Sequence, residues 1–357
     1  LHNVSYNDEG SYRRLSVIEG FKFHHYGDAL ITDANCSLQL LADDMRMDQD
    51  YTANSIFTLQ QKELSGAGTM ELTLRSANAD ARWQPQSGLF TFYRRNSLSA
   101  PVTFKRGGIE SLILDNANSH IPAEIGYLTI SDTEMPVYSD FMIDTWNAAL
   151  FHESVLNLDR WTLTAGIRLD YEGGRMDYDC NTTLHYRFAP AMSKDRELPV
   201  PYNGTLTHNH FEVLPKLSAL FKASDMIALY TTVSKGYRAG GFNTQIFSDI
   251  LQNLTMNATM NDLGVYLDRP FVSVNAENTE YAPETAWNME LGTRLYYESF
   301  RVEASAYYMD VRNQQLTVFP PGMSTGRMMT NAGHSRSMGV ETELAWNPGA
   351  FRTHLSW

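Results

Sequence analysis

The sequence predicts an all-β protein, an antiparallel transmembrane β-barrel. Three observations carry that reading. Apolar and polar residues alternate with a period of two, the alternating stretches are long, and their connections are short at one end and long at the other. The alternation is clearest over residues 283–346. There Trp287, Met289, Leu291, Thr293 and Leu295 fall on one face, with Asn288, Glu290, Gly292 and Arg294 on the other. After a break at residues 297–299, Val302, Ala304, Ala306 and Tyr308 oppose Arg301, Glu303, Ser305 and Tyr307. Val340, Thr342, Leu344 and Trp346 then oppose Glu341, Glu343 and Ala345. A two-residue period is the signature of strands with one apolar and one polar face.

A soluble sandwich alternates in the same way, so length must decide. Soluble strands are mostly about 5–6 residues long, whereas a bilayer-crossing strand needs roughly 9–11. Residues 286–297 and 300–318 reach or exceed the longer figure. A tight Glu298-Ser299 turn joins them, while the next connection, Pro320 to Gly326, is longer and rich in Pro, Gly and Ser. Tight turns on the periplasmic side and long loops outside are the layout of an outer-membrane barrel.

Taken in order, residues 11–94 read as a series of strands. Leu15 and Val17 alternate into Phe21 and Phe23, Ile56 and Thr58 alternate with Phe57 and Leu59, and Met70, Leu72 and Leu74 with Glu71, Thr73 and Arg75. Leu64-Ser65-Gly66-Ala67-Gly68 is a turn by composition, as is the stretch from Ser76 to Asp80. Pro85 suggests a bend in the strand that follows. From about residue 94 to 140 the alternation weakens, which predicts a long external loop with a short helix. A strand resumes at residues 141–156, and residues 157–160 turn it. In the next strand Trp161, Leu163, Ala165, Ile167, Leu169 and Tyr171 share one face, opposite Thr162, Thr164, Gly166, Arg168 and Asp170. Its apolar face begins with Trp and ends with Tyr, the residues that suit the two membrane interfaces. Gly173-Gly174, Pro199, Pro201 and Asn203-Gly204 mark a second long loop, about 172–211. Strands over 212–222 and 226–237 flank an Ala223-Ser224-Asp225 turn, and a third long loop runs over about 238–284. A last short turn at residues 347–350 leads into a strand begun by Phe351.

Composition excludes several other classes. The 357 residues carry a formal charge of −13, the reverse of the basic surface that nucleic-acid binding requires. No run of about 18 apolar residues exists, so no transmembrane helix is expected. A mean hydropathy of −0.34 suits a barrel with a polar lumen and polar loops. The opening residues have neither the basic nor the apolar region of a signal peptide. Cys36 and Cys180 stand far apart in no metal-ligand spacing, leaving a disulfide and two free thiols both open. No GxSxG, P-loop or HExxH constellation is present, so an enzyme is the poorest reading and no cofactor is expected.

Several segments together resemble the barrel of TonB-dependent outer-membrane receptors, in the siderophore-receptor style. They are VSKGYRAGGFN (residues 233–243), YAPETAWNMELGTRLYY (281–297), ASAYYMDVRNQQL (304–316) and TNAGHSRSMGVETELAW (330–346). WTLTAGIRLDYE (161–172) is similar to an earlier strand of that barrel, and MDQDYTANSIFTLQQK (47–62) and GLFTFYRR (88–95) resemble Bacteroidetes-type variants. The resemblance implies a barrel of about 22 strands with a plug inside. It also implies energy supplied by the TonB-ExbB-ExbD complex through that plug, and a small-molecule ligand such as a ferric siderophore, with haem, cobalamin or oligosaccharide as alternatives. About 13 strands are counted here, with no plug-like segment, so the whole chain (1–357) is expected to be an internal part of the barrel. Competing readings are a passive porin or adhesin-type barrel, which needs neither plug nor energy, and a soluble β-rich binding protein.

Candidate site residues follow from position. Tyr237, Arg238 and Phe242 lie at the outer end of a strand and the base of a long loop, where a cation and aromatic rings suit an anionic, ring-bearing ligand. The competing reading gives them a scaffold role. His208 and His210, with Glu212, are spaced to share one face of a strand and could meet a ligand or metal there, against a plain polar strand junction. Arg168, Asp170, Glu290, Arg294, Arg301, Glu303, Glu341 and Glu343 are the charges expected on the lumen face, paired with one another and with a plug.

Overall fold

The computed structural model describes residues 10–48, 54–119, 121–264, 275–318, 327–347 and 353–356. The expected connection at 320–326, most of the turn at 347–350, Phe351, the opening segment and part of the third loop lie outside them. The strands are β1 (Ser11–Tyr26), β2 (Leu30–Asp48), β3 (Phe57–Ser76), β4 (Trp83–Ser99), the short β5 (Val102–Lys105) and β6 (Tyr127–Ile130), then β7 (Glu134–Asn157), β8 (Trp161–Ala189), β9 (Arg196–Lys222) and β10 (Ile227–Arg238). After the two-residue β11 (Gly241–Phe242) and β12 (Glu280–Tyr281) come β13 (Glu284–Tyr297), β14 (Phe300–Arg312), β15 (Gln315–Val318), β16 (Met328–Asn331), β17 (His334–Trp346) and β18 (Thr353–Ser356). Twelve of them follow a single path, β1-β2-β3-β4-β7-β8-β9-β10-β13-β14-β17-β18, while β5 and β6 pair beside it. Pairing along the path is antiparallel throughout.

The alternation read from the sequence becomes two sheet faces. Leu163, Ile167, Leu169 and Tyr171 are exposed, while Asp170 and Glu172 between and beyond them are buried. Register carries the same outer face across strands: Leu291 of β13 pairs with Ala306 of β14, which pairs with Val340 of β17. Leu291 and Val340 are 63% and 71% exposed, the inverse of a water-soluble protein. Apolar residues turned outward and charges turned inward fit a wall with lipid outside and water within.

β7, β8 and β9 contain 24, 29 and 27 residues, far more than the roughly 9–11 that cross a bilayer. Their excess stands beyond the membrane on the side away from the tight turns, and this revises the expected loops. In the first, β4 continues to Ser99, β5 follows, and residues 106–119 form α1 (Arg106–Gly108), a π-helical turn (Ile109–Leu114) and α2 (Asp115–Ser119). The second is no loop: β8 and β9 run on as one hairpin, paired from Trp161–Phe221 to Tyr186–Arg196. Its glycines are sockets rather than breaks. A Cβ on Gly173 would sit 2.4 Å from the Trp146 ring, one on Gly174 2.4 Å from His208, and one on Gly204 2.5 Å from the Tyr178 hydroxyl. Its prolines are tolerated because β10 pairs with β9 only between Lys222 and Lys216, so Pro199 and Pro201 sit where β9 has one neighbour. The turn expected at residues 64–68 is likewise the middle of β3, where a Cβ on Gly66 or Gly68 would meet Leu40 and Leu38 of β2 only at ordinary contact distance.

The main apolar core lies at this outer end. α3 (Phe247–Asp262), within the third expected loop, packs on β7, β8 and β9. Phe247 meets Phe141 edge-on at 5.0 Å and Tyr178 at 5.0 Å, and Leu251 and Met260 are buried with Met176, Leu184 and Tyr186.

Candidate functional site at the barrel mouth

The β9–β10 ladder stops at Lys216–Ser234. Just above it, side chains of β10 cross to β8 and β9 on the inner side of the wall. Tyr237 donates its hydroxyl hydrogen to Asp170 Oδ1 at 2.7 Å and lies 3.3 Å from Glu172 Oε2. Arg168 Nε donates to Asp170 Oδ2 at 2.7 Å, and Asn147 Nδ2 donates to Oδ1. Glu172 Oε1 accepts from the Gly240 backbone N–H at 3.3 Å, which ties down the first residues of the β10–β13 connection. Lys235 Nζ donates to Glu212 Oε1 at 2.5 Å, and His210 Nε2 lies 3.1 Å from Glu212 Oε2. Asp170 is 2% exposed, and a buried carboxylate is tolerable only when its lone pairs are filled this way.

The other expected mouth residues are placed differently. His208 packs against Phe242, ring centres 4.9 Å apart, and its Nδ1 is buried with no hydrogen-bond partner. Burial, and then the nearby His210, pushes its pKa down, which favours the neutral ring. Arg238 is exposed, at the end of β10 opposite Glu284. The structure therefore joins Tyr237, Asp170 and Arg168 in one hydrogen-bonded cluster and His210 with Glu212 in a second beside it, the His210 and Tyr237 rings 5.9 Å apart, and sets His208 with Phe242 nearby. Among the described residues no group of three or more His, Cys, Asp and Glu side chains could hold a metal ion. Cys36 is exposed and Cys180 buried, both as free thiols.

The remaining charges form a second cluster further round the inner wall. Arg301 reaches Glu303 at 2.7 Å and Arg294 reaches it at 3.8 Å, while Tyr230 donates to Glu290 Oε1 at 2.6 Å. Glu290, Glu303, Glu341 and Glu343 line one shallow recess with Tyr230. Glu172, Asn147 and Lys235 escaped sequence reasoning. Glu172 could have been found, since the period of two places it on the face of Arg168 and Asp170; Asn147 and Lys235 depend on register between strands.

A sheet with a lipid-facing apolar belt, a charged inner wall and strands outgrowing the membrane defines an outer-membrane β-barrel. The description "TonB dependent receptor-like, beta-barrel" matches residues 3–357, so the chain belongs to the TonB-dependent receptor family, as part of its barrel. The pesticin receptors of Yersinia enterocolitica and Yersinia pestis are 28% identical over 198 residues, 55% of this chain and 23% of theirs. In structure, the ferric yersiniabactin uptake receptor FyuA from Yersinia pestis superposes with a TM-score of 0.65 at 16% identity, covering 99% of this chain and 44% of that one. The siderophore receptor PiuA from Acinetobacter baumannii gives 0.59 at 14% identity, covering 98% and 48%. The chain thus spans about a quarter of the curated relatives it matches and under half of either solved structure. At these identities the two structures show the fold.

Proposed function

We propose that the protein carrying this chain is an outer-membrane receptor for energised uptake of a scarce nutrient, a ferric siderophore foremost. The supporting observation is the charged inner wall behind a lipid-facing belt, in a chain that matches the TonB-dependent family over nearly its whole length. The names of the relatives point the same way, since they are receptors for pesticin, for ferric yersiniabactin and for a siderophore. In this reading the extracellular hairpin and α3 shape the entrance, and Arg238, Phe242 and His208 border the passage. Tyr237 and His210 hold the entrance in shape. Arg168, Asp170, Glu290, Arg294, Arg301, Glu303, Glu341 and Glu343 face a plug through which TonB-ExbB-ExbD supplies energy.

The test is growth rescue. A receptor-null Gram-negative strain carrying the whole gene is grown on iron-chelated medium with single ferric siderophores. The proposal expects rescue by one siderophore class, lost when the energy-coupling complex is deleted. Rescue that survives the deletion would indicate a passive barrel instead.

A further inference from the structure

Inside the mouth, away from the Tyr237 network, the tops of β2, β3 and β4 and the start of α3 enclose a cavity of about 180 Å³. We propose that this cavity binds a single ring bearing one negative charge, as one arm of the cargo; the cargo part rests on the receptor reading above.

Size sets the first limit. An apolar cavity of about 150 Å³ is known to hold benzene, so this one takes a six-membered ring with a substituent and excludes a whole metal chelate. Its walls suit a ring: Met45, Met47, Leu59, Leu98 and Val102 supply apolar surface. These side chains meet through register, since Met47 pairs with Leu59 and Leu59 with Val102. Methionine adapts to flat guests better than branched side chains do.

Polarity sets the second limit. Arg327 and Gln245 line the same cavity, joined by a bond from Arg327 Nε to Gln245 Oε1 at 3.3 Å. Among the described residues no carboxylate pairs with Arg327, the cation in the cavity's lining. Ser139 also lines the cavity; it is 3% exposed, and its Oγ has only the Cys180 thiol, a weak partner, beside it among the described residues. Leaving such a group unpaired costs about 1–3 kcal/mol, and a guest hydroxyl or N–H directed at Ser139 would recover it. A cation, a buried hydroxyl with only a weak partner and apolar walls select a ring with an acid group and one further polar substituent.

The test uses the whole receptor purified in detergent with ¹³C-methyl methionine, and benzoate and neutral benzamide as probes. Methyl signals are assigned with Met45→Leu and Met47→Leu. Saturable shifts of both methyls are expected with benzoate, at about tenfold lower concentration than with benzamide. Arg327→Gln should erase that difference, and Leu98→Phe, which fills the cavity, should remove both responses. Ser139→Ala, a smaller change, serves if Leu98→Phe does not fold, and should weaken binding of 3-hydroxybenzoate but not of benzoate. Absence of saturable shifts, equal affinity for both probes, or shifts indifferent to Arg327 would overturn the proposal. Probe binding needs no energy coupling, so failure of growth rescue with intact benzoate binding would count against the receptor reading and leave the cavity site standing.

Discussion

Tyr237 and Asp170 come from strands that do not pair with each other, yet the hydroxyl of one donates to the carboxylate of the other at 2.7 Å. The bond bridges β10 and β8 behind β9, at the height where the β9–β10 ladder has ended. It replaces lost ladder bonds with a side-chain tie to a buried charge, and hydrogen bonds to charged groups contribute about 1.5–3 kcal/mol each.

Tyr237→Phe should therefore lower unfolding stability by about that amount, with membrane insertion unchanged. Urea unfolding in detergent measures the loss. Because Glu172 also holds the Gly240 N–H, limited proteolysis should show faster cutting near residue 240 in Glu172→Gln. Equal cutting rates would mean that the tie does not anchor the loop base.

The glycine sockets predict a contrast between two positions. Gly173→Val drives a branched side chain into the Trp146 ring and should cost about 1–3 kcal/mol, as overpacking usually does. Gly20→Ala in β1 meets nothing within 4 Å and should be close to neutral. Thermal unfolding of the two variants gives the comparison, and equal effects would refute the socket account.

Alkaline pH should loosen the extracellular hairpin before the membrane wall. Burial, and then the bond to Asp262, pushes Tyr186 up to about 12; burial, and then Tyr202, pushes Tyr178 up to about 12; burial pushes Cys180 up to about 12. Each folded value is raised, so the unfolded chain loses its protons first. Stability from these groups is complete below about pH 8, where the unfolded thiol and phenols are still protonated, and falls as pH climbs toward 12, the thiol's share first. Near-ultraviolet circular dichroism between pH 8 and 12, with phenolate absorbance alongside, should show some tyrosines ionising late and together with loss of tertiary signal. All tyrosines titrating as one ordinary class would contradict this.

On the outer face, Leu291→Arg places a charge against lipid and should cost about 2–4 kcal/mol near the midplane. Glu341→Gln, on the inner face of β17, should leave assembly intact. Heat-modifiability on gels reports assembly for both, and reversed effects would mean the faces are misassigned.

Much of the wall was legible because the two-residue period is a local property. Trp161 to Tyr171 alternate by themselves, and no distant neighbour is needed to see which side is apolar. The hairpin above them was hidden because its glycines and prolines have the composition of a loop. Their meaning lies in Trp146, Tyr178 and His208, which register alone brings opposite. α3 was hidden for another reason: its buried face includes Thr255 and Thr259, polar residues that satisfy themselves by donating to the carbonyls of Leu251 and Thr255 at 2.8 Å. In the site, Arg168 and Asp170 followed from the period, whereas the partnership of Tyr237 with Asp170 required knowing where one ladder ends.

The central claim is that odd-numbered residues of β8 face lipid and even-numbered ones face water across the membrane. Single cysteines placed from Trp161 to Tyr171 in a cysteine-free background, spin-labelled and reconstituted in bilayers, test it directly. Collision with oxygen should peak at Leu163, Ala165, Ile167 and Leu169, and collision with a water-soluble nickel complex at Thr164, Gly166 and Arg168. A smooth profile with no two-residue alternation, or peaks on the opposite residues, would contradict the membrane wall described here.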